Sequence, residues 1–297
     1  MLEITVTEPL LRVGCILGEG PIYDPETHTL HFIDIKDGKV FHLNTDTNEL
    51  QSAKLAEPLS CIALRKDGKG LACTPASGFA ILEQDNTLRY LTRPNPPSRF
   101  NDGACDSHGR FFVGTVNEPK EVPGRLYRYD PNADSGRGTV VIVDEGPFTD
   151  SNGMAWSQDE KTFYFTDSQN NIIYQYDYDI ESGELSNRRV FVNSSKLGVP
   201  GNSDGLCIDT TGGLWSARWE GSQLVRFAPD GTVDVVIHFP TVWRVTASCF
   251  AGNRLYVTTA HCSVNGTDEM QEKYPDSGHL FMVDLEGKFK GVARHPF

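Results

Sequence analysis

The stretch Asn152-Gly-Met-Ala-Trp156, followed by Phe163-Tyr-Phe-Thr-Asp167, reads as two short apolar strands joined by a polar turn. Five more pairs of this kind occur along the chain. The six pairs begin at Glu19, Ser60, Asp102, Asn152, Asp204 and Thr246. These first positions are 41, 42, 50, 52 and 42 residues apart, a spacing typical of the blades of a β-propeller. The sequence therefore predicts an all-β, six-bladed β-propeller.

Further strands and tight turns fit the same repeat. Alternating polar and apolar residues predict third strands at 39–43, 125–129, 172–176 and 223–227. Asp-Gly pairs such as Asp37-Gly38 and Asp230-Gly231 lie between the apolar runs and supply the positive φ that tight hairpins need. The alternative fold is a pair of β-sandwiches, which the six-fold spacing disfavours.

The ends of the chain and its overall organisation follow from the same pattern. No helix of any length is expected, and 261–277 reads as a long loop of the last blade. Residues 3–6 form a strand that we expect to close the ring as the outer strand of the last blade, because a closed ring must pair its ends. No linker or change of composition interrupts the chain, so 1–297 is interpreted as one domain.

Composition limits the partners of this 297-residue chain. Its formal net charge of −13 and the absence of a basic stripe argue against a nucleic-acid partner. No stretch is long and apolar enough to span a bilayer, and no secretory signal is visible, so no membrane partner is expected. The seven cysteines are scattered without a CxxC pair, which indicates reduced thiols and a cytoplasmic location. A closed ring needs no partner chain, so we expect a monomer.

The first positions of the six units suggest a metal site. In a propeller these positions line the central channel, so all six should approach one another near one mouth: Glu19, Ser60, Asp102, Asn152, Asp204 and Thr246. Carboxylates forced together raise each other's pKa, and a bound cation relieves that repulsion. The alternative is that each Asp or Asn only caps the turn before its glycine. Glutamate is a poor turn residue, which favours the metal interpretation for Glu19.

Several motifs carry a resemblance to a known family. They are Leu17-Gly-Glu-Gly-Pro-Ile-Tyr23, Ser98-Arg-Phe-Asn-Asp-Gly103, Ser151-Asn-Gly-Met-Ala-Trp-Ser157 and Asn202-Ser-Asp-Gly-Leu-Cys-Ile-Asp209. In these motifs the chain resembles the family of gluconolactonase, regucalcin (senescence marker protein) and luciferin-regenerating enzyme. The resemblance covers nearly the whole chain, in the right order and spacing. It implies a six-bladed propeller with a central metal site.

The resemblance also implies roles for individual residues. The family's Glu, Asn and Asp metal ligands match Glu19, Asn152 and Asp204. The ion is divalent and would be Ca²⁺, Mg²⁺, Mn²⁺, Zn²⁺ or Fe²⁺. The residues that bind substrate in the family match Arg99, Asn101 and Glu118.

The last blades carry three residues of interest besides these. Trp219 ends a strand and is expected to wall the substrate pocket. Trp243 and Arg244 stand where many relatives have a shorter Pro-Thr-Ser motif, and we expect them to shape that pocket.

The implied activity is the metal-dependent hydrolysis of a sugar lactone to its aldonic acid, in carbohydrate metabolism. Asp204 would be the catalytic base that accepts a proton from water, while Arg99 and Asn101 would donate hydrogen bonds to the substrate. Neither a GxSxG elbow nor an HExxH motif is present. Two alternatives stay open: a non-catalytic, metal-responsive binding propeller, and an esterase or organophosphatase that uses the same metal site.

Overall fold

The chain folds into six β-sheets in a computed structural model, which describes residues 1–116 and 122–297. A single strand, β1 (Leu2–Thr5), precedes the first sheet. The first sheet contains β2 (Gly18–Asp24), β3 (Thr29–Asp34), β4 (Lys39–Asn44) and β5 (Leu50–Lys54). The second contains β6 (Leu59–Ala63), β7 (Leu71–Pro75), β8 (Phe79–Leu82) and β9 (Leu88–Thr92). The third contains β10 (Phe100–Cys105), β11 (Phe111–Thr115), β12 (Gly124–Asp130) and β13 (Thr139–Phe148).

The other three sheets continue in the same order. The fourth contains β14 (Ser151–Trp156), β15 (Thr162–Asp167), β16 (Ile172–Asp179) and β17 (Glu184–Asn193). The fifth contains β18 (Asn202–Ile208), β19 (Leu214–Trp219), β20 (Gln223–Phe227) and β21 (Val233–His238). The sixth contains β22 (Arg244–Ala251), β23 (Arg254–Ala260) and β24 (Phe281–Asp284). A single turn, α1 (Ala133–Gly136), and a short helix, α2 (Asp268–Lys273), lie in connections.

The first strands of the six sheets close into a ring. Each contacts the first strand of the next sheet, in the order β2, β6, β10, β14, β18, β22 and back to β2. Within every sheet the strands follow chain order from the centre outward, except that β1 is added beyond β21 in the fifth sheet. The prediction of a six-bladed β-propeller is therefore confirmed, and the third strands lie where the alternation places them.

The hydrophobic core consists of six clusters, each between two neighbouring blades. Phe111 and Phe112 show how one strand serves two clusters. Successive side chains of a strand point to opposite faces, so Phe111 packs toward the second blade and Phe112 toward the fourth. Both faces of a blade are thus buried, which explains why the middle strands are continuous apolar runs.

The first strand of the chain pairs differently from the prediction. β1 runs parallel to β21 and becomes the fifth strand of the fifth blade, not the outer strand of the sixth. Leu2 and Ile4 pack against the core cluster between the fifth and sixth blades. The alternation of apolar and polar residues in β1 correctly predicts a strand, but it does not identify the partner strand. The outer edge of either blade has unpaired backbone N–H and C=O groups that can pair with β1.

The N-terminal segment completes the sixth blade through a β-bridge between Leu11 and Leu280. The backbone N–H groups of Leu11 and Leu280 each donate to the other's carbonyl oxygen, at 3.1 Å.

The prediction of a loop over 261–277 is wrong in part, since α2 lies within it. The hydroxyl of Thr267 caps this helix by accepting a hydrogen bond from the N–H of Met270.

Neither α1 nor α2, the helices of the described chain, is long or apolar enough to cross a membrane. All seven cysteines are buried, and none forms a disulfide. Six of them belong to the clusters between blades as small apolar residues: Cys15, Cys61, Cys73, Cys105, Cys207 and Cys249.

Glycine lets the inner strands approach each other closely. A Cβ atom on Gly153 of β14 would lie 2.1 Å from the backbone nitrogen of Leu206 in β18. A Cβ atom on Gly205 of β18 would lie 2.6 Å from the Cβ of Ala247 in β22. No side chain fits between these strands, so the width of the ring at this level depends on glycine.

We expect Gly153→Ala to lower the free energy of unfolding by about 3 kcal/mol, because the new methyl group must push β18 away. Gly68→Ala is the control. Its Cβ would meet no atom within 4 Å, but its φ of 65° is unfavourable for alanine, so we expect a loss of about 1 kcal/mol. Equilibrium unfolding in urea measures both. Equal losses in the two variants would contradict the steric explanation.

Candidate active site

Each inner strand contains a register shift at the same level of the ring. In β2 the shift lies between Glu19 and Ile22, and in β14 it lies between Asn152 and Met154. In β18 it spans Asp204. A β-bulge bends its strand and redirects a side chain. The bulges therefore coincide with the residues that the sequence predicts as metal ligands.

These residues share a cavity of about 500 Å³ at one mouth of the channel. The wall includes the predicted residues Glu19, Arg99, Asn101, Asn152 and Asp204. The structure thus brings together all of the predicted site residues that it describes. Glu118 lies outside the described residues.

The first positions of the other three units do not line this cavity. Asp102 lines a small cavity of about 20 Å³ deeper in the channel, next to Arg294. Ser60 and Thr246 are buried, and the hydroxyl of Thr246 donates to the carbonyl of Gly18 at 2.6 Å. The expectation that all of these first positions meet at the mouth is therefore wrong for Asp102, Ser60 and Thr246, because the bulge of β10 turns Asn101 rather than Asp102 toward the larger cavity.

A chain of hydrogen bonds holds the amide groups of the site. Arg99 Nη1 donates to Asn101 Oδ1 at 2.8 Å, and Asn101 Nδ2 donates to Asn152 Oδ1 at 3.1 Å. Asn152 Nδ2 donates in turn to the hydroxyl of Ser168 at 2.7 Å. This network fixes the orientation of the Asn152 amide, whose oxygen retains a second lone pair. Asn101 thus positions Asn152 as well as lining the cavity.

The carboxylates of the site influence one another strongly. Burial, then the charge of Asp102, raises the pKa of Glu19 to about 8. Burial, then the charges of Glu19, Asp102 and Asp150, raises the pKa of Asp204 well above its ordinary value. Glu19 keeps part of its surface open to the cavity, while Asp204 is buried. The mutual repulsion expected from the sequence is present.

The donor set suits a hard cation. Glu19 and Asp204 offer carboxylate oxygens and Asn152 an amide oxygen, the donors that Ca²⁺, Mg²⁺ and Mn²⁺ accept. Across residues 1–116 and 122–297, no three His, Cys, Asp or Glu side chains are grouped to hold a metal ion. The predicted triad has only two such side chains, and its third ligand is an amide. The metal centre remains a prediction that these residues fit.

Arg294 is a residue of the channel that the sequence analysis missed. Its Nη1 donates to the carbonyl of Met154 at 2.9 Å, and its Nη2 donates to the carbonyl of Leu206 at 2.6 Å. Met154 and Leu206 each follow a proposed metal ligand by two residues and stand at the end of its bulge. One guanidinium therefore joins the two strands that carry Asn152 and Asp204.

The C-terminal segment delivers Arg294 to this position. The N–H of Val292 donates to the carbonyl of Ile208 at 3.1 Å, and the N–H of Phe297 donates to that of Leu64 at 2.8 Å. The segment thus crosses the C-terminal ends of the inner strands, from the fifth blade to the second. Nothing in the repeat pattern identifies a partner for such a segment, so only the structure reveals it.

Comparison with known proteins gives the family. Residues 17–261 match the model of the SMP-30/gluconolactonase/LRE-like region. The chain belongs to this family. Pentonolactonase XacC of Haloferax volcanii is 34% identical over 288 residues, which are 95% of this chain and 95% of that protein. Regucalcin of Homo sapiens is 32% identical over 306 residues, 98% of this chain and 97% of regucalcin.

Solved structures of family members have the same architecture. A luciferin-regenerating enzyme superposes with a TM-score of 0.87 at 27% identity, covering 97% of this chain and 98% of that one. A calcium-binding regucalcin from Agrobacterium tumefaciens also gives a TM-score of 0.87, covering 100% of this chain and 98% of that one. Its identity of 23% supports the shared fold alone. The resemblance stated from the motifs is confirmed.

The raised pKa of Glu19 predicts how stability depends on pH when divalent cations are removed by a chelator. In the unfolded chain this carboxyl loses its proton near pH 4.5, and in the folded chain it does so near pH 8. Between these values the folded state holds more protons, so the free energy of unfolding falls as pH rises. One such proton contributes up to about 1.4 kcal/mol per pH unit.

We expect Glu19→Gln to flatten this fall, since an amide does not titrate. Urea unfolding at several pH values across that window, with chelator present, measures the slope. Glu184→Gln, at an exposed position of β17, is the matched control and should keep the slope of the parent protein. Parallel slopes for the parent and Glu19→Gln would disprove the pKa shift.

Arg294→Met should lower the free energy of unfolding by about 2–4 kcal/mol, because the carbonyl groups of Met154 and Leu206 lose a charged donor. Arg137→Met, whose side chain is 83% exposed, is the control and should change it by less than about 0.5 kcal/mol. Thermal and urea unfolding provide the comparison. A neutral result for Arg294→Met would mean that water replaces the guanidinium without cost.

Proposed function

We propose that this chain is a lactonase that hydrolyses a sugar lactone to its aldonic acid, in carbohydrate catabolism. One observation carries the proposal. The carboxyl groups of Glu19 and Asp204, both with raised pKa, share a cavity of about 500 Å³ with the amide of Asn152 and the guanidinium of Arg99. The family description and the relative named pentonolactonase support the same activity.

Glu19, Asn152 and Asp204 would hold one divalent cation. Their oxygens suit Ca²⁺, Mg²⁺ or Mn²⁺, and the availability of ions selects among these and Zn²⁺ or Fe²⁺. When bound, the cation would polarise the lactone carbonyl and make a nearby water more acidic. Its charge would also offset the repulsion between Glu19 and Asp204.

The side chains supply the rest of the chemistry. An oxygen of the Asp204 carboxylate accepts a proton from the attacking water as the water oxygen bonds to the lactone carbonyl carbon. The ester C–O bond then breaks, and the ring oxygen leaves as an alcohol that takes up this proton. Arg99 donates hydrogen bonds to the negative charge that develops on the carbonyl oxygen. Glu118 and Asn101 complete the proposed substrate contacts.

Asp204→Asn should lower kcat/KM for lactone hydrolysis by about 10³-fold, since an amide cannot accept the proton. Acid release from a panel of aldonolactones, followed with and without chelator under several metal ions, measures the effect. Asp230→Asn, in an exposed turn, is the matched control and should retain full activity. Full activity of Asp204→Asn, after a check that it folds, would sink the assigned role.

A second candidate function is a cation-binding propeller without turnover. The relatives named regucalcin favour it, because that name gives no enzymatic activity; human regucalcin is 32% identical to this chain. It predicts calorimetric binding of Ca²⁺ that requires Glu19 and Asp204, with no acid release from any lactone. The same panel extended to aryl esters and organophosphates tests the esterase alternative, because those substrates would then give the highest kcat/KM.

A further inference from the structure

One wall of the cavity comes from two loops of the fifth and sixth blades. Trp219 ends β19 and Glu220 follows it, while Val264 and Asn265 come from the segment after β23. The side chain of Glu220 is 41% exposed, and its carboxylate borders the same space as Glu19 and Asp204. This wall combines an aromatic face with a hydrogen-bond acceptor.

Arg244 lies behind this wall and is completely buried. Its Nη2 donates to Glu220 Oε1 at 2.7 Å, and its Nη1 donates to the carbonyl of Val264. Its Cζ lies 4.5 Å from the ring centre of Trp219 and 3.8 Å from that of Trp243. A single guanidinium thus connects two aromatic rings, one carboxylate and one loop carbonyl. A planar guanidinium can stack on an aromatic ring while it forms several hydrogen bonds, whereas the ammonium group of lysine has no plane with which to stack.

Glu220 lies in the turn that joins β19 to β20. Its φ is 61°, in the left-handed region that tight turns use and that few non-glycine residues adopt elsewhere. Such a conformation persists when surrounding contacts fix it. The ion pair with the buried Arg244 is a contact of this kind. It also offsets the charge of Glu220, so the carboxylate adds little repulsion to Glu19 and Asp204.

The chemistry of the wall defines its ligand. A carboxylate accepts hydrogen bonds and donates none, so Glu220 selects a group with O–H or N–H donors. The ring of Trp219 offers an apolar surface with little conformational freedom. A polyhydroxylated ring presents both hydroxyl donors and an apolar C–H face. An unsubstituted lactone has the ester but no donors.

We propose that Trp219 and Glu220 form the subsite for the hydroxyl groups of the lactone, and that Arg244 is the positioning residue that holds them. This proposal rests on the proposed function and adds the residues that would recognise the hydroxyl groups of its substrate. Val264 and Asn265 lie beyond residue 261, where the family match ends. The subsite is therefore completed by a segment outside the part of the chain that the family model describes.

The test compares two lactones with the same ring, gluconolactone and the unsubstituted δ-valerolactone. Glu220→Ala should lower kcat/KM for gluconolactone by at least about 10-fold, mainly through a higher KM, because a site built to accept hydroxyl donors loses its acceptor. Its kcat/KM for δ-valerolactone should stay within about twofold of the parent value. Glu184→Ala, at an exposed site of β17, is the matched control. Equal losses on both lactones would overturn the proposal.

Arg244→Met should reproduce the selective rise in KM, and adding it to Glu220→Ala should cause little further loss for gluconolactone. That non-additivity is expected if Arg244 acts through Glu220. Arg244→Lys should recover only part of the affinity, since lysine keeps the charge and loses the planar fork. Additive losses with both lactones would show a merely structural role for Arg244. If Arg244→Met does not fold, Glu220→Ala decides the question alone.

Binding separates this inference from the lactonase proposal. Calorimetry with gluconate, the open-chain product, should give a Kd at least about 10-fold weaker for Glu220→Ala than for the parent protein. If the parent hydrolyses neither lactone but binds gluconate through Glu220, the activity is wrong and the subsite stands. If Glu220→Ala binds gluconate as tightly as the parent, the subsite is wrong even when hydrolysis is found.

Discussion

The convergence of six inner strands on one axis is the constraint on which the rest of the molecule depends. Neighbouring strands approach so closely that Gly153 faces the backbone of Leu206 and Gly205 faces Ala247, with no room for a Cβ atom. Each inner strand contains a β-bulge at this level of the ring. The bulge turns a polar side chain toward the channel and leaves backbone carbonyls outside the regular ladder. Both the candidate site and the role of Arg294 follow from this geometry.

The same geometry separates two tasks within the site. The proposed ligands Glu19 and Asp204 come from inner strands that are fixed on both sides by the clusters between blades, so their spacing is set by the ring itself. The wall at Trp219 and Glu220 comes from the end of β19 and the turn after it, and such turns can change without altering the ring. In the proposed function, the inner strands carry the residues for hydrolysis, and the wall held by Arg244 selects the lactone.

The repeat made much of this predictable, because equivalent positions in a ring must meet whatever their distance in sequence. The blade count and the shared cavity of Glu19, Asn152 and Asp204 follow from that rule. Partners outside the repeat could not be predicted. β1 could pair with the open outer edge of any blade, and its alternation of apolar and polar residues does not indicate which blade. Arg294 donates to carbonyl groups that the bulges leave outside the regular ladder, and this role leaves no local pattern in the sequence. The motif at Trp243 and Arg244 drew attention to Arg244, but its contacts with Glu220 and Trp219 depend on tertiary packing.

The position of Arg294 also gives the channel a direction. Its guanidinium lies beside Asp102 and partly offsets the rise in the pKa of that carboxyl. Positive charge is thus fixed on the side of the channel away from the proposed metal ligands, where Arg294 borders the small cavity of about 20 Å³ and a second open cavity of about 500 Å³. A cation held by Glu19 and Asp204 would be repelled by Arg294 on that side and would reach its ligands through the cavity that they line. The proposed metal and the proposed substrate would then occupy the same cavity, as metal-assisted hydrolysis would need.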